Sequence, residues 1–175
     1  ERQAFQFPPP GLEAGDSFFA REKTVSQESP GRKYVGLMPA GKTKILSEIR
    51  VLAVLLEMVK NMPDLSDEEM DKLWTLTAYF NSLRELGRAD TLVTDEVRDT
   101  MHRISFRLDI PCRSVYGAKE LTSRVTAIEL NQTLDALEHL TYSQANREQK
   151  RYAVNVLLAT NMISVGLDVA RLNLM

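Results

Sequence analysis

The sequence Ala153-Val154-Asn155-Val156-Leu157-Leu158-Ala159-Thr160-Asn161 is the segment that decides the fold. Its apolar run, from Val154 to Ala159, is short and rich in β-branched side chains. Such a run predicts a strand over 153–159 that is buried on both faces, as in a parallel sheet. Small and polar residues follow it as far as Asp168. Because ligands of open α/β sheets bind beyond the carboxyl ends of the strands, we expect a phosphate or a ribose to bind at this end.

Two more strands are predicted upstream, at 74–80 and 119–122, and a fourth is predicted to start at Leu172. Apolar residues at three- and four-residue steps predict a long helix over 43–62 and further helices between the strands. Capping boxes at Ser66–Glu69 and Thr126–Glu129 predict two helix starts. Strands that alternate with helices are typical of an α/β domain with a mostly parallel sheet and right-handed connections.

Each predicted strand ends in polar residues: Asn81-Ser82 after the first, Ser123-Arg124 after the second and Thr160-Asn161 after the third. We call these three polar pairs the strand tips. A helix is predicted to begin just after each of the first two tips, and a helix N-terminus offers free N–H groups to a phosphate. Two structural roles would explain the same residues. Asn81 or Ser82 can cap a helix, and Arg124 can form an ion pair with Glu120 or Glu129. The sequence leaves both interpretations open.

The last segment resembles motif V of superfamily-two helicases, a motif of the second RecA-like domain; the matching residues are Ala159, Thr160, Gly166, Leu167 and Asp168. Val165 stands where many members have an Arg. The first two strand tips resemble motifs IV and IVa of the same domain. The full string from Ala159 to Leu172 is similar to the large helicase subunit of DISARM-type phage-defence systems.

The resemblance implies a partial, P-loop-NTPase-like RecA fold. It also implies that six residues contact nucleic acid: Asn81, Ser82, Ser123, Arg124, Thr160 and Asn161. By the same resemblance Gly166 and Asp168 face the nucleotide cleft. The parent protein would bind ATP and Mg²⁺ between two RecA-like domains. We expect this chain alone to bind neither and to contain no catalytic residue, because it lacks the family's motif VI.

The same resemblance predicts the partners: nucleic acid, with DNA favoured over RNA, the first RecA-like domain of the parent chain, and a partner subunit of the defence system. The resemblance also implies that the parent protein is an enzyme that hydrolyses ATP, and we expect this chain alone to be inactive.

A second motif, Gly36-Leu37-Met38-Pro39-Ala40-Gly41-Lys42-Thr43, satisfies the P-loop pattern, in which backbone N–H groups and a Lys hold phosphates. It gives an alternative hypothesis, a stand-alone P-loop NTPase with Asp95 or Glu96 at Mg²⁺. Pro39 and the lack of a buried strand before the motif argue against it. We expect Asp95 and Glu96 to form the acidic first turn of a helix instead. A third hypothesis is a non-enzymatic α/β interaction domain.

The composition is that of a globular protein: 43% of the 175 residues are hydrophobic, 26% are charged, and the net charge is −2. A single cysteine, Cys112, fits a reducing compartment, and neither a signal peptide nor a membrane span is predicted, so we expect a cytoplasmic protein without a membrane partner. No metal-ligand spacing is present. The predicted organisation is a Pro/Gly-rich arm (1–32), a helical lead-in (33–72) and a partial helicase C-terminal domain (73–175).

Overall fold

The computed structural model describes residues 12–13, 15–16, 19–26, 31–160, 169 and 171–175. They fall into two compact units, Glu1–Met38 and Pro39–Met175. In the described part of the first unit an isolated antiparallel bridge joins Asp16 to Arg21, and their side chains form an exposed ion pair of 2.6 Å between Nη2 and Oδ2. All helices and strands described below belong to the second unit.

The second unit is built on a parallel sheet of three strands, which confirms the predicted α/β class. The strands are β1 (Leu76–Phe80), β2 (Ala118–Leu121) and β3 (Val156–Thr160), in the order β1-β3-β2. All five residues of the central strand, β3, are buried. A strand that pairs on both sides and is covered on both faces is expected to be apolar throughout, and the β3 sequence meets this requirement.

Two helices precede β1, namely α1 (Lys44–Lys60) and α2 (Asp67–Trp74). Others lie between the strands, among them α3 (Leu83–Leu92), α4 (Arg98–Leu108) and α5 (Ala127–His139). A one-turn helix, α6 (Gln144–Glu148), follows α5. Predicted capping boxes are present at the starts of α2 and α5, where Ser66 and Thr126 each exchange hydrogen bonds with a Glu three residues later.

Two hydrophobic clusters cover the two faces of the sheet. Val156 and Leu158 pack on one face with α1, α3 and α4, and Leu157 and Ala159 pack on the other with Leu137 of α5. This division follows from the two-residue period of a strand, which sends successive side chains to opposite faces. The sheet is therefore the middle layer of three, with helices against both of its faces.

The predicted strand boundaries were partly wrong. β1 begins at Leu76 rather than at 74, because Trp74 ends α2 and Thr75 caps it, with its hydroxyl donating to the Val154 carbonyl at 2.8 Å. Likewise β3 begins at Val156 rather than at 153. β2 was placed within one residue of its true position. The predicted fourth strand is a single parallel bridge between Leu174 and Leu76.

The prediction of a separate helix starting at Asp95 was also wrong. One helical rod runs from Leu83 to Leu108, and a π-helical turn (Val93–Val97) joins α3 to α4. Asp95 and Glu96 are exposed within that turn, and Val93 and Val97 are buried. The acidic pair therefore does not follow a strand, as a Mg²⁺-binding Asp-Glu pair of a P-loop NTPase would.

Among the helices that the structure describes, none has the length and apolar character that crossing a bilayer would require.

Candidate nucleic-acid interface

The carboxyl ends of the three strands meet at one edge of the sheet, which we call the carboxyl edge. Phe80 of β1 pairs with Thr160 of β3, and Leu121 of β2 pairs with Ala159. Because neighbouring strands lie about 4.8 Å apart, the polar tips that follow β1 and β2 leave the sheet on either side of Thr160. The structure therefore brings together the three tips that the sequence predicted, Asn81-Ser82, Ser123-Arg124 and Thr160.

The first tip is the start of α3. Ser82 is the N-cap: its hydroxyl accepts a hydrogen bond from the backbone N–H of Glu85 at 3.2 Å. Asn81 and Ser82 are both exposed. The first N–H groups of α3 point out of this edge with the positive end of the helix dipole, although Glu85, paired with Lys44 at 3.6 Å, lies in the same turn. This tip can therefore accept a phosphate and is also a complete helix cap without one.

The second tip is closed by an ion pair. Arg124 donates from Nε and Nη2 to the two carboxylate oxygens of Glu120, both at 2.6 Å. The Glu120 carboxylate also accepts a hydrogen bond from the Thr122 hydroxyl. These bonds hold the pKa of Glu120 below its usual value, with the hydrogen bond from Arg124 as the largest cause. The ion pair that was one of two predictions for Arg124 is thus confirmed.

Arg124 nevertheless stays accessible. Its side chain is 49% exposed, and its guanidinium lies next to α3, because a Cβ placed on Gly87 would be 3.7 Å from Nη1. Ser123 beside it is exposed. The guanidinium can share its donors between Glu120 and an incoming phosphate, since only two of its five N–H groups are used by the carboxylate.

The third tip differs from the other two because it is buried. Thr160 is 8% exposed at the end of the central strand. Of the remaining predicted site residues, Asn161, Gly166 and Asp168 lie outside the described residues. The predicted contacts of the nucleotide cleft therefore have no observed geometry here.

The P-loop-like motif forms a helix cap. Residues 31–39 contain no strand, and Gly36, Gly41, Lys42 and Thr43 are exposed. Gly41 adopts a φ of 69°, as a turn residue does. The Thr43 hydroxyl accepts a hydrogen bond from the Leu46 N–H at 3.3 Å as the N-cap of α1. A phosphate cradle needs a buried strand that leads into the loop, and this segment has none.

The described residues also offer no place for a metal ion. Within 31–160 and the shorter described stretches, no group of three His, Cys, Asp or Glu side chains is close enough to bind one. The arrangement at the carboxyl edge suits a sequence-independent contact to a phosphate backbone, from hydroxyls, helix N–H groups and one guanidinium.

A buried polar network that the sequence did not predict lies where the three strands begin. We call this end of the sheet, opposite to the carboxyl edge, the amino edge. Glu57 of α1 is fully buried and accepts from the Arg113 backbone N–H at 3.1 and 3.2 Å. The Arg113 guanidinium donates to the carbonyls of Leu56 and Trp74 and to the side chain of Asn155. Burial lowers the pKa of Arg113 to about 9, so it remains charged at neutral pH.

A second missed pair connects the last described segment to the helices. Arg171 contacts Asp71 of α2 at 2.9 Å, and Nη1 donates to the carbonyls of Leu137 and Leu140 at the end of α5. Two signals could have revealed these networks. Glu57 lies within the apolar stripe of α1, and Asn155 interrupts the apolar run that leads into β3. A polar residue in a buried run needs a partner.

No family model matches the chain. The chain is 40% identical over 175 residues to the DISARM protein DrmA of Bacillus paralicheniformis. The match covers 97% of this chain and 15% of the length of that relative. The chain is therefore related in sequence to one segment of a DISARM protein.

Proposed function

We propose that this chain forms the nucleic-acid-contacting edge of a second RecA-like domain in an ATP-dependent DNA helicase or translocase of a DISARM-type antiviral system. The observation that carries the proposal is the register of the sheet, which aligns the tips after Phe80 and Leu121 with Thr160. The sequence similarity to a DISARM protein supports the defence-system context.

In this proposal a phosphate backbone crosses the carboxyl edge. The first N–H groups of α3 and the exposed hydroxyls of Ser82 and Ser123 donate to successive phosphates, and Arg124 adds a charge-assisted contact. None of these groups reads a base, so binding is independent of sequence. The negative charge of Glu120 partly offsets the positive charge of Arg124. This keeps the contact weak enough for a nucleic-acid strand to move across the carboxyl edge.

ATP would supply the free energy for movement from the cleft between the two RecA-like domains of the parent protein. We assign ATP hydrolysis to the parent protein and not to this chain alone. The rest of the cleft, including the partner RecA-like domain, belongs to the parent.

The test measures binding of a 20-nucleotide single-stranded DNA to the full-length parent by fluorescence anisotropy at several salt concentrations. Arg124→Ala should weaken binding and lower the slope of log affinity against log salt by about 0.7, the value for one phosphate contact on a single strand. Arg107→Ala removes an exposed charge from α4 and serves as the matched control, with no change in slope. Glu120→Gln should tighten binding, because it removes a negative charge beside Arg124.

A second candidate, a non-enzymatic interaction domain, has one observation in its favour. Ser82 is satisfied as a helix cap and Arg124 as an ion-pair partner, so neither side chain needs a ligand. If Arg124→Ala and Thr160→Ala both leave the affinity and the salt slope unchanged in folded protein, this second candidate replaces the proposal.

A measurement of ATP binding distinguishes the stand-alone P-loop NTPase from the helicase-edge proposal. Loss of tight ATP binding in Lys42→Ala, with Lys33→Ala unchanged, would overturn the helicase-edge proposal in favour of a stand-alone NTPase.

A further inference from the structure

A cavity of about 190 Å³ opens at the amino edge of the sheet, away from the proposed interface. Trp74, Tyr116 and Asn155 line it, and each lies one or two residues before the start of a strand. The strands are four or five residues long, so at about 3.3 Å per residue this edge lies on the order of 15 Å from the strand tips. The cavity is therefore separate from the site described above.

The cavity is lined by four cationic side chains, Lys60, Arg113, Arg147 and Arg151, and by no carboxylate. Lys60, Arg147 and Arg151 form no ion pair with any carboxylate in the part of the chain that the structure describes. Lys60 donates instead to the Cys112 carbonyl at 2.7 Å. Glu57 offsets the charge of Arg113 from outside the cavity. These three cations, which have no carboxylate partner among the described residues, surround one opening and together attract an anion.

Two aromatic rings lie between two of these cations. The Arg113 guanidinium lies 3.7 Å from the Trp74 ring, Trp74 and Tyr142 have centroids 4.1 Å apart, and Arg147 lies 4.5 Å from Tyr142. The result is a continuous stack from Arg113 to Arg147, in which guanidinium planes and rings cover each other.

A second ring pair extends the cavity wall into solvent. Tyr116 and Tyr152 have centroids 5.6 Å apart, and their residues are 73% and 49% exposed. The buried network accounts for Arg113, but it does not require two tyrosines and Arg151 to gather at the surface. Exposed rings beside free cations are a recurring platform for bases, because every base has a π face and a nearby phosphate.

The size of the cavity limits the ligand. An apolar cavity of about 150 Å³ holds one benzene molecule, so this cavity has room for one ring system and not for two stacked bases. A simple carboxylate or phosphate would use the cations but leave the rings without a role.

We propose that this cavity binds a single nucleotide, with the base against the tyrosine pair and the phosphate between Arg147 and Arg151. The nucleotide is either free or one unit of a single strand. The proposal does not depend on the proposed function, because it uses residues at the opposite edge of the sheet.

The chain contains one tryptophan, Trp74, which lines the cavity and reports on its occupancy by fluorescence. The experiment titrates the full chain with dAMP and, separately, with an eight-nucleotide oligo-dT, and follows the quenching of Trp74. Inorganic phosphate and tetraglutamate are the comparison anions. We expect saturable quenching by at least one nucleotide ligand, at concentrations at least tenfold lower than those of the two comparison anions. A response to dAMP alone or to both ligands identifies a site open to free nucleotides, and a response to oligo-dT alone identifies a strand.

Two substitutions test the contacts to the phosphate and to the base, Arg151→Ala and Tyr152→Leu respectively. Both positions are exposed, so the fold should tolerate these changes. Each should weaken nucleotide binding by about fivefold to a hundredfold, the range for one charged or stacking contact. Arg107→Ala and Tyr34→Leu are the matched controls and should have no effect. Thr160→Ala should also leave the quenching unchanged, which separates this proposal from the proposed function.

Three results would overturn the proposal. They are the absence of quenching by both nucleotide ligands, equal affinity for phosphate or tetraglutamate, and unchanged binding in both Arg151→Ala and Tyr152→Leu. Preference for tetraglutamate would point to an acidic protein segment as the occupant.

Discussion

The two edges of the sheet hold polar residues in opposite ways. At the carboxyl edge Ser82 and Arg124 are exposed, and each is satisfied by a partner within four residues of its own position. At the amino edge Glu57 and Arg113 are buried. Glu57 has one local partner, Asn61, but the side-chain bonds of Arg113 and its backbone bond to Glu57 each span more than 35 residues. Local partners stabilise single elements, whereas distant partners join elements to each other.

The two edges therefore differ in whether their polar residues can take a new partner without unfolding the chain. Polar residues with local partners can accept a ligand without loss of the fold, because water replaces whatever contact is given up. Buried residues with distant partners cannot, because a carbonyl or a carboxylate left without its donor stays out of water. The carboxyl edge is therefore suited to transient contacts with a moving strand, and the amino edge to a fixed structure around a cavity.

The largest effect on stability is expected from Arg113→Ala at the amino edge. The change leaves the carbonyls of Leu56 and Trp74 and the side-chain oxygen of Asn155 without their donor, so it should cost about 3–5 kcal/mol. Urea unfolding followed by circular dichroism measures this difference. Arg107→Ala, an exposed control, should change the free energy of unfolding by about 0.5 kcal/mol or less. A loss below about 1 kcal/mol in Arg113→Ala would remove the distinction between the two edges.

A smaller effect is expected from helix caps near the carboxyl edge. Ser82→Ala and Thr126→Ala each remove an N-cap hydroxyl, which should cost about 1 kcal/mol. The same urea titrations measure it, and Ser123→Ala is a control because Ser123 is exposed and is not an N-cap. Since the two caps belong to different helices, their effects should add in the double variant. A cost comparable with that of Arg113→Ala would show that the local partners also hold the core together.

The smallest effect is expected from the ion pair at the second tip. Arg124 lowers the pKa of Glu120, so the folded state binds this proton less tightly than the unfolded state does. The stabilisation is therefore present above the unfolded value of 4.5 and is lost as the pH falls below it through the folded pKa. Because Arg124 is exposed, water screens the pair, and its contribution to stability should be the smallest of the three.

The measurement compares unmodified chain with Glu120→Gln by urea unfolding between pH 3 and pH 7. The difference should be constant near neutral pH and should shrink towards pH 3. High salt should reduce it at pH 7. A difference that grows as the pH falls would have the wrong sign for this pair.

Several parts of the molecule were readable from the sequence because their causes are local. The apolar run before Thr160 predicted a buried strand, and Ser66 and Thr126 predicted helix starts through capping boxes. The ends of β1 and β3 were placed to within one residue. Their starts were two or three residues too early, because Trp74 and Ala153 are as apolar as strand residues but are held by a helix end and a loop.

The candidate site was predicted as three strand tips, but their closeness required the register of the sheet. The sequence placed Asn81-Ser82, Ser123-Arg124 and Thr160 after strands, and only the pairing of β3 with both neighbours put them at one edge in line. The sequence offered two roles for Arg124, a phosphate contact and an ion pair, and the structure shows the ion pair with Glu120. The roles of Asn161, Gly166 and Asp168 stay predictions.

The sequence by itself determined the elements of this protein, because hydrophobic period, capping residues and strand composition act over a few neighbouring residues. Tertiary structure alone decided the strand order, the continuity of the rod from Leu83 to Leu108, and the cluster of cations and rings at the amino edge. Trp74, Tyr116 and Arg147 come from segments 30 or more residues apart, so no local pattern brings them together. Only the return of each chain segment to the start of a parallel strand makes them neighbours.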